Sequence, residues 1–275
     1  MRFTTSDGLQ LAYEDEGAGP VLFCLPGLTR NARDFDDLAA AIRDVRLVRL
    51  TYRGRGESDR DPDFMNYNVP QEARDAIELL DHLGIERAVY LGTSRGGIIA
   101  MLTAAMAKER LAGVILNDIG PEIDAGGLDR IYDYIGRQPK ARNFDEAAVV
   151  LRETMGAEFP DLALADWRVQ ATRWLEEAPE GGLRLNYDPK LRDAMLAQAK
   201  GEQPDLWPLF DAMAGLPLGV LRGANSDLLS RETVAEMQRR RPDMVYAEVP
   251  GRGHVPFLDE PESLAVINEV VRESV

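Results

Sequence analysis

The chain has 275 residues, 45% of them hydrophobic, enough to bury a large core as one globular unit. Its formal net charge of −15, from 47 Asp and Glu against 32 Lys and Arg, argues against a nucleic-acid partner because like charges repel. A single cysteine, Cys24, cannot make an internal disulfide, and a reducing, cytoplasmic location is the default expectation.

From the N-terminus, MRFTTSDGLQLAYEDEG alternates polar and apolar residues, so neither a secretory signal nor a membrane span is expected there. Residues 2–16 read as a hairpin turning at Ser6, Asp7 and Gly8. The runs VLFCL (21–25), VRLVRL (45–50), AVYLG (88–92), GVILN (113–117) and LGVLRG (218–223) have the apolar character of strands buried on both faces of a parallel sheet. Cys24 belongs to the first of these, where a thiol packs as a small hydrophobe. Segments 34–43, 71–83 and 96–107 carry apolar residues at three and four spacing, and helix alternating with strand predicts an α/β sheet covered on both sides.

The RGRG stretch at 53–56 reads as a tight loop after a strand rather than a basic patch. Across residues 121–214 the strand signal disappears and the chain becomes helical, with Trp167, Trp174 and Trp207 all inside it. The pattern predicts a core from residues 1–120 and 215–275, interrupted by a helical cap. After it come a helix-like RETVAEMQRRR, a strand-like VYAEV and a closing helix from Pro261 to about Glu273.

Chemistry concentrates at Gly92-Thr93-Ser94-Arg95-Gly96, a G-x-S-x-G pattern. Alone it is short enough to occur by chance. Its setting at the end of a buried strand and the start of an apolar helix is the context in which such a serine is lifted above the sheet edge. A hydroxyl needs a base, and the chain has two histidines. His82, in IELLDHLG, reads as a surface or helix-end residue, whereas His254 lies in a Gly/Pro-rich loop at the strand ends that also carry Ser94. A carboxylate must orient the imidazole, and two candidates follow strands: Asp227, preferred because its loop is exposed at the right edge and the order Ser, Asp, His is a known arrangement, and Asp118 as the alternative.

With these stretches in place the chain resembles the α/β-hydrolase family over nearly its whole length. Leu25-Pro26-Gly27-Leu28 resembles the oxyanion loop, Tyr52 to Asp59 the Arg-Gly-x-Gly-x-Ser loop, GTSRGG the nucleophile elbow, and GANSD and GRGH the acid and histidine loops. The resemblance implies attack by Ser94, proton transfer by His254, orientation by Asp227, and an oxyanion hole from the backbone N–H groups of Leu28 and Arg95. Two positions depart from the family: Pro26 stands where many relatives have His, and Tyr52 where many have an acid. Some members place the acid after the strand before the cap, among them an enzyme that hydrolyses 2-(acetamidomethylene)succinate, which keeps Asp118 in play.

The expected pocket lies between sheet edge and cap. Trp167 and Tyr132 are candidate substrate contacts, as is Arg30, which like Arg95 could bind a carboxylate through paired N–H donors or else pair with acids of this chain. Pairing is the expectation for Arg95, and Arg30 stays open. No metal-ligand spacing and no nucleotide loop occur, so no cofactor is expected. The function expected is a serine hydrolase of a small carboxylic ester or lactone, acting as monomer or homodimer. The rivals are a carbon–carbon or amide hydrolase with the same triad, or a ligand receptor on this scaffold.

Overall fold

A computed structural model describes residues 1–201 and 204–275. Strands β1 (Arg2–Thr4) and β2 (Gln10–Gly17) form the expected hairpin, with Phe3 opposite Leu11. They join β3 (Val21–Leu25), β4 (Arg46–Leu50), β5 (Ala88–Thr93), β6 (Leu111–Asn117), β9 (Leu218–Gly223) and β10 (Val245–Val249) in one eight-stranded sheet, in the order β1-β2-β4-β3-β5-β6-β9-β10. From β4 to β10 all pairings are parallel.

The apolar runs are continuous because both faces are covered. In β3, Phe23 and Leu25 enter one core with helices α2 (Val69–His82) and α3 (Arg95–Met106). Leu22 and Cys24 enter the other, with α1 (Asp36–Ala41) and α10 (Pro261–Glu273). Side chains alternate faces along a strand, so each face needed its own apolar set.

The RGRG loop is structural. Arg53 is fully buried, donating from Nε and Nη2 to Asp75 (2.7 and 2.6 Å) and from Nη1 to Asp61 (2.5 Å) and Asp7 (2.9 Å). Arg55, equally buried, pairs with Glu72 at 2.8 Å, donates from Nη1 to the Arg53 carbonyl (2.7 Å) and from Nε to the Leu28 carbonyl (2.9 Å). The Leu28 loop is thus anchored from this arginine.

Between β6 and β9 the chain forms α4 (Ala125–Tyr134), α5 (Phe144–Met155), α6 (Leu164–Trp174), α7 (Leu191–Gln198) and α8 (Trp207–Asp211). Asn143 caps α5, its side chain accepting from the Glu146 N–H at 2.9 Å. The sequence pattern predicted no strand here. The structure has a short antiparallel hairpin, β7 (Leu175–Glu177) with β8 (Leu183–Leu185), turning through Gly181 and Gly182 at positive φ. Three-residue strands are too short to show a period. The last helix of the sheet layer before α10 is α9 (Arg231–Arg240), capped by Ser230. No helix among the described residues is long and apolar enough to cross a membrane.

Candidate active site

Sheet register brings the site together. Thr93 of β5 pairs with Asn117 of β6, so Ser94 and Asp118 leave adjacent strands at the same level. The Ser94 N–H donates to the Asn117 carbonyl (3.0 Å) and the Asp118 N–H to the Leu221 carbonyl (2.8 Å). Both residues sit in the left-handed region, φ 50° and 54°, which non-glycine residues seldom adopt and which the surrounding register enforces.

The turn at Ser94 needs glycine beside it. A Cβ on Gly92 would lie 2.4 Å from the Gly97 nitrogen, and one on Gly96 would lie 2.0 Å from the Leu25 carbonyl oxygen. With nothing but hydrogen at both positions, α3 starts directly against β5 and β3. The Gly97 and Ile98 N–H groups then donate to the Ser94 carbonyl (2.9 and 3.3 Å).

His254 Nε2 is 3.0 Å from Ser94 Oγ, and His254 Nδ1 is 2.7 Å from Asp118 Oδ2. Asp118 is fully buried and also accepts from the Gly223 N–H at Oδ1 (2.8 Å) and from Ser226 Oγ at Oδ2 (2.7 Å). A carboxylate there can only accept, so Nδ1 carries the ring proton and Nε2 faces the serine as an acceptor. The histidine loop is held from several sides. Glu260 accepts from Arg252 Nε (2.7 Å) and from the Phe257 and Leu258 N–H groups (2.9 Å each), and Asn117 Nδ2 donates to the Pro256 carbonyl (3.1 Å).

The structure places Asp118, not the preferred Asp227, against His254. Asp227 lies four residues past the end of β9, and its carboxylate turns away to Arg130 Nη2 of α4 at 2.6 Å. Asp118 is one residue past β6, directly beside the strand of Ser94, and reaches the ring. Sequence reasoning missed Ser226 altogether, one position before the expected acid, where its Oγ donates to Asp118 Oδ2. The signal available was positional: Asp118 follows its strand as immediately as Ser94 follows its own.

The N–H groups of Leu28 and Arg95 have no acceptor among the described residues, and Arg95 opens α3. One of these donors lies on the loop anchored by Arg55 and the other at the N-terminus of α3. The Arg95 side chain pairs with Glu72 and donates to the Tyr67 carbonyl at 3.3 Å, the pairing expected for it.

A cavity beside His254 is lined by Arg30, Asp34, Phe159, Gln170, Trp174 and Phe257, among others. Two suggested contacts lie elsewhere. Trp167 is fully buried edge-on against Phe159, with ring centres 5.7 Å apart, as packing within the helical segment. Tyr132 lies on α4 outside this cavity, its carbonyl accepting from Arg192. Trp174, seven residues after Trp167, does line the cavity. Its Nε1 donates to Asp34 Oδ1 at 3.3 Å. Burial pushes the Asp34 carboxyl above its ordinary value, while Arg30 and Arg173 pull the other way.

Comparison with known proteins agrees with this architecture. A family model described as the alpha/beta hydrolase family matches residues 21–266. The chain is 38% identical to a 3-hydroxybutyrate-oligomer hydrolase of Cupriavidus necator, covering 94% of this chain and 91% of that one. It is 27% identical to a 2-(acetamidomethylene)succinate hydrolase of Mesorhizobium japonicum, over 90% of this chain and 85% of the other. A crystal structure of an alpha/beta hydrolase from Novosphingobium aromaticivorans superposes with a TM-score of 0.93 at 42% identity, covering 99% of this chain and 97% of that one. The chain is a hydrolase of the alpha/beta hydrolase family.

Proposed function

We propose that the protein is a serine esterase acting on short carboxylic esters, in particular esters of small hydroxy acids, with lactones as related substrates. The observation that carries this reading is the unbroken hydrogen-bonded chain from Ser94 Oγ through His254 to Asp118. In it Ser94 Oγ attacks the ester carbonyl carbon as its proton passes to His254 Nε2, and Asp118 stabilises the imidazolium that results. The Leu28 and Arg95 N–H groups receive the oxyanion. Nε2 then protonates the departing alcohol, leaving an acyl group on Ser94. Water, deprotonated by the same nitrogen, releases the acid and restores the serine.

Residues 121–214 serve in this reading as a cap over the core formed by residues 1–120 and 215–275. Support comes from Met155, Phe159, Gln170 and Trp174, which close one side of the cavity containing His254. Oligomers of a hydroxy acid are joined by ester bonds, and the Cupriavidus necator relative is a 3-hydroxybutyrate-oligomer hydrolase, which favours hydroxy-acid esters as the substrate class.

The test is a panel of p-nitrophenyl esters of increasing chain length, small lactones and the 3-hydroxybutyrate dimer, with stoichiometric fluorophosphonate labelling of Ser94. Short esters are expected to turn over, and Ser94→Ala to abolish both turnover and labelling. An undiminished rate in Ser94→Ala refutes the mechanism, and labelling without turnover across the panel points instead to a ligand receptor.

A further inference from the structure

We propose that Arg30 is the anion anchor of this site, so that the preferred substrates carry a free carboxylate in addition to the scissile ester. The inference rests on the serine-esterase reading for the bond that is cleaved, but the anion contact stands on its own geometry.

Arg30 follows the glycine of the oxyanion loop by three residues, and its N–H closes the turn onto the Gly27 carbonyl at 3.1 Å. A methyl group placed on Gly27 would lie 3.3 Å from Arg30 Cγ and 4.0 Å from Ser94 Cβ, so the arginine side chain and the serine flank the same glycine. The guanidinium then lies over Trp174, with Cζ 3.5 Å from the ring centre, and Arg30 lines the cavity that holds His254. This cation–π contact holds the guanidinium over the ring before any ligand arrives.

What distinguishes Arg30 is that its donors are unspent. Among the described residues its guanidinium donates no hydrogen bond; its ion pair with Asp34, Nε to Oδ2 at 3.8 Å, is beyond hydrogen-bond reach and leaves the Nη groups uncommitted. Other arginines around the site are committed: Arg95 to Glu72, Arg130 to Glu158 and Asp227, and Arg252 to Glu260. A planar fork with free Nη groups matches the two oxygens of a carboxylate. In a chain of net charge −15 the overall field repels an anionic substrate, so its recognition requires a local cation. A neutral ester of the same shape would leave these donors without an acceptor.

The experiment uses two ester pairs that differ in the carboxylate. In p-nitrophenyl hemisuccinate against p-nitrophenyl butyrate the carboxylate is on the acyl half, and in the 3-hydroxybutyrate dimer against its methyl ester it is on the alcohol half. The expected result is that the ratio of kcat/KM, charged over neutral, falls about 10- to 100-fold in Arg30→Gln for one pair, which also shows which half the arginine holds. Arg30→Lys, which keeps the charge and the stem but loses the fork, is expected to retain an intermediate ratio. Calorimetric titration of the Ser94→Ala protein with succinate and 3-hydroxybutyrate reads the same contact without turnover, and affinity for one of them should fall about 10-fold or more when Arg30→Gln is added. Unaltered ratios for both pairs, or equal affinity with and without Arg30, overturn the proposal. If Ser94→Ala still cleaves esters, the serine mechanism fails while the titration continues to test Arg30.

Discussion

Replacing Asp118 by Asn separates the two candidate acids sharply. Asp118 accepts three hydrogen bonds, from Gly223 N–H, Ser226 Oγ and His254 Nδ1. An amide has one oxygen to offer, and its NH2 group must face either the Gly223 N–H or the His254 edge. Facing Gly223, two donors meet within a fully buried site, which costs about 1–3 kcal/mol of stability. Facing His254, the amide drives the ring proton onto Nε2 and removes the acceptor from Ser94, a tautomer change that lowers kcat by about 10⁴ in the serine triad of known mechanism. Asp118→Asn should therefore lose between 10³- and 10⁴-fold in kcat/KM on p-nitrophenyl butyrate, order-of-magnitude figures from the same triad. Asp227→Asn loses only a partly exposed ion pair with Arg130, about 1 kcal/mol or less of stability, and should stay within about threefold in rate. Rates measured beside urea melts of each variant distinguish lost chemistry from lost folding. The reasoning is refuted if Asp227→Asn abolishes activity while Asp118→Asn, still folded, keeps it.

Three further outcomes follow from the same geometry. Ser226→Ala removes one of the two donors on Asp118 Oδ2 and should lower kcat/KM by roughly 5- to 10-fold, because the carboxylate is then held less firmly against His254. Gly96→Ala places a methyl group 2.0 Å from the Leu25 carbonyl, which forces β3 and α3 apart; urea denaturation should show a loss of about 3 kcal/mol or more, or the protein should fail to accumulate. Cys24 is fully buried and burial pushes its thiol well above the ordinary range, so it should resist a thiol-specific disulfide reagent at pH 8 in the folded protein and react stoichiometrically in guanidinium.

The sheet was legible in the sequence because strands buried on both faces must be apolar throughout, and the short apolar runs at Val21, Ala88 and Leu218 alternate with helical stretches as a parallel sheet requires. Ser94 was legible for a related reason: the glycines at 92 and 96 are dictated by contacts made within the strand–turn–helix unit and with the next strand, so the local pattern records them. His254 could be selected because one other histidine competed with it, and that one, His82, ends α2 with Nε2 3.5 Å from Tyr13 OH.

The acid was a different kind of problem. Asp118 and Asp227 both follow strands, and nothing in their neighbours along the chain says which carboxylate faces the ring. That depends on the pairing of Thr93 with Asn117 and on the direction in which a four-residue excursion past β9 points its side chain. The same holds for Arg30: the sequence placed a cation near the oxyanion loop, whereas its lack of side-chain hydrogen bonds among the described residues, and its seat on Trp174 from 144 positions away, belong to the folded chain. Patterns of burial and tight turns are local constraints that each stretch of sequence must satisfy alone. Which carboxylate orients the histidine, and which arginine is left with free donors, are outcomes of long-range register and packing that no single stretch encodes.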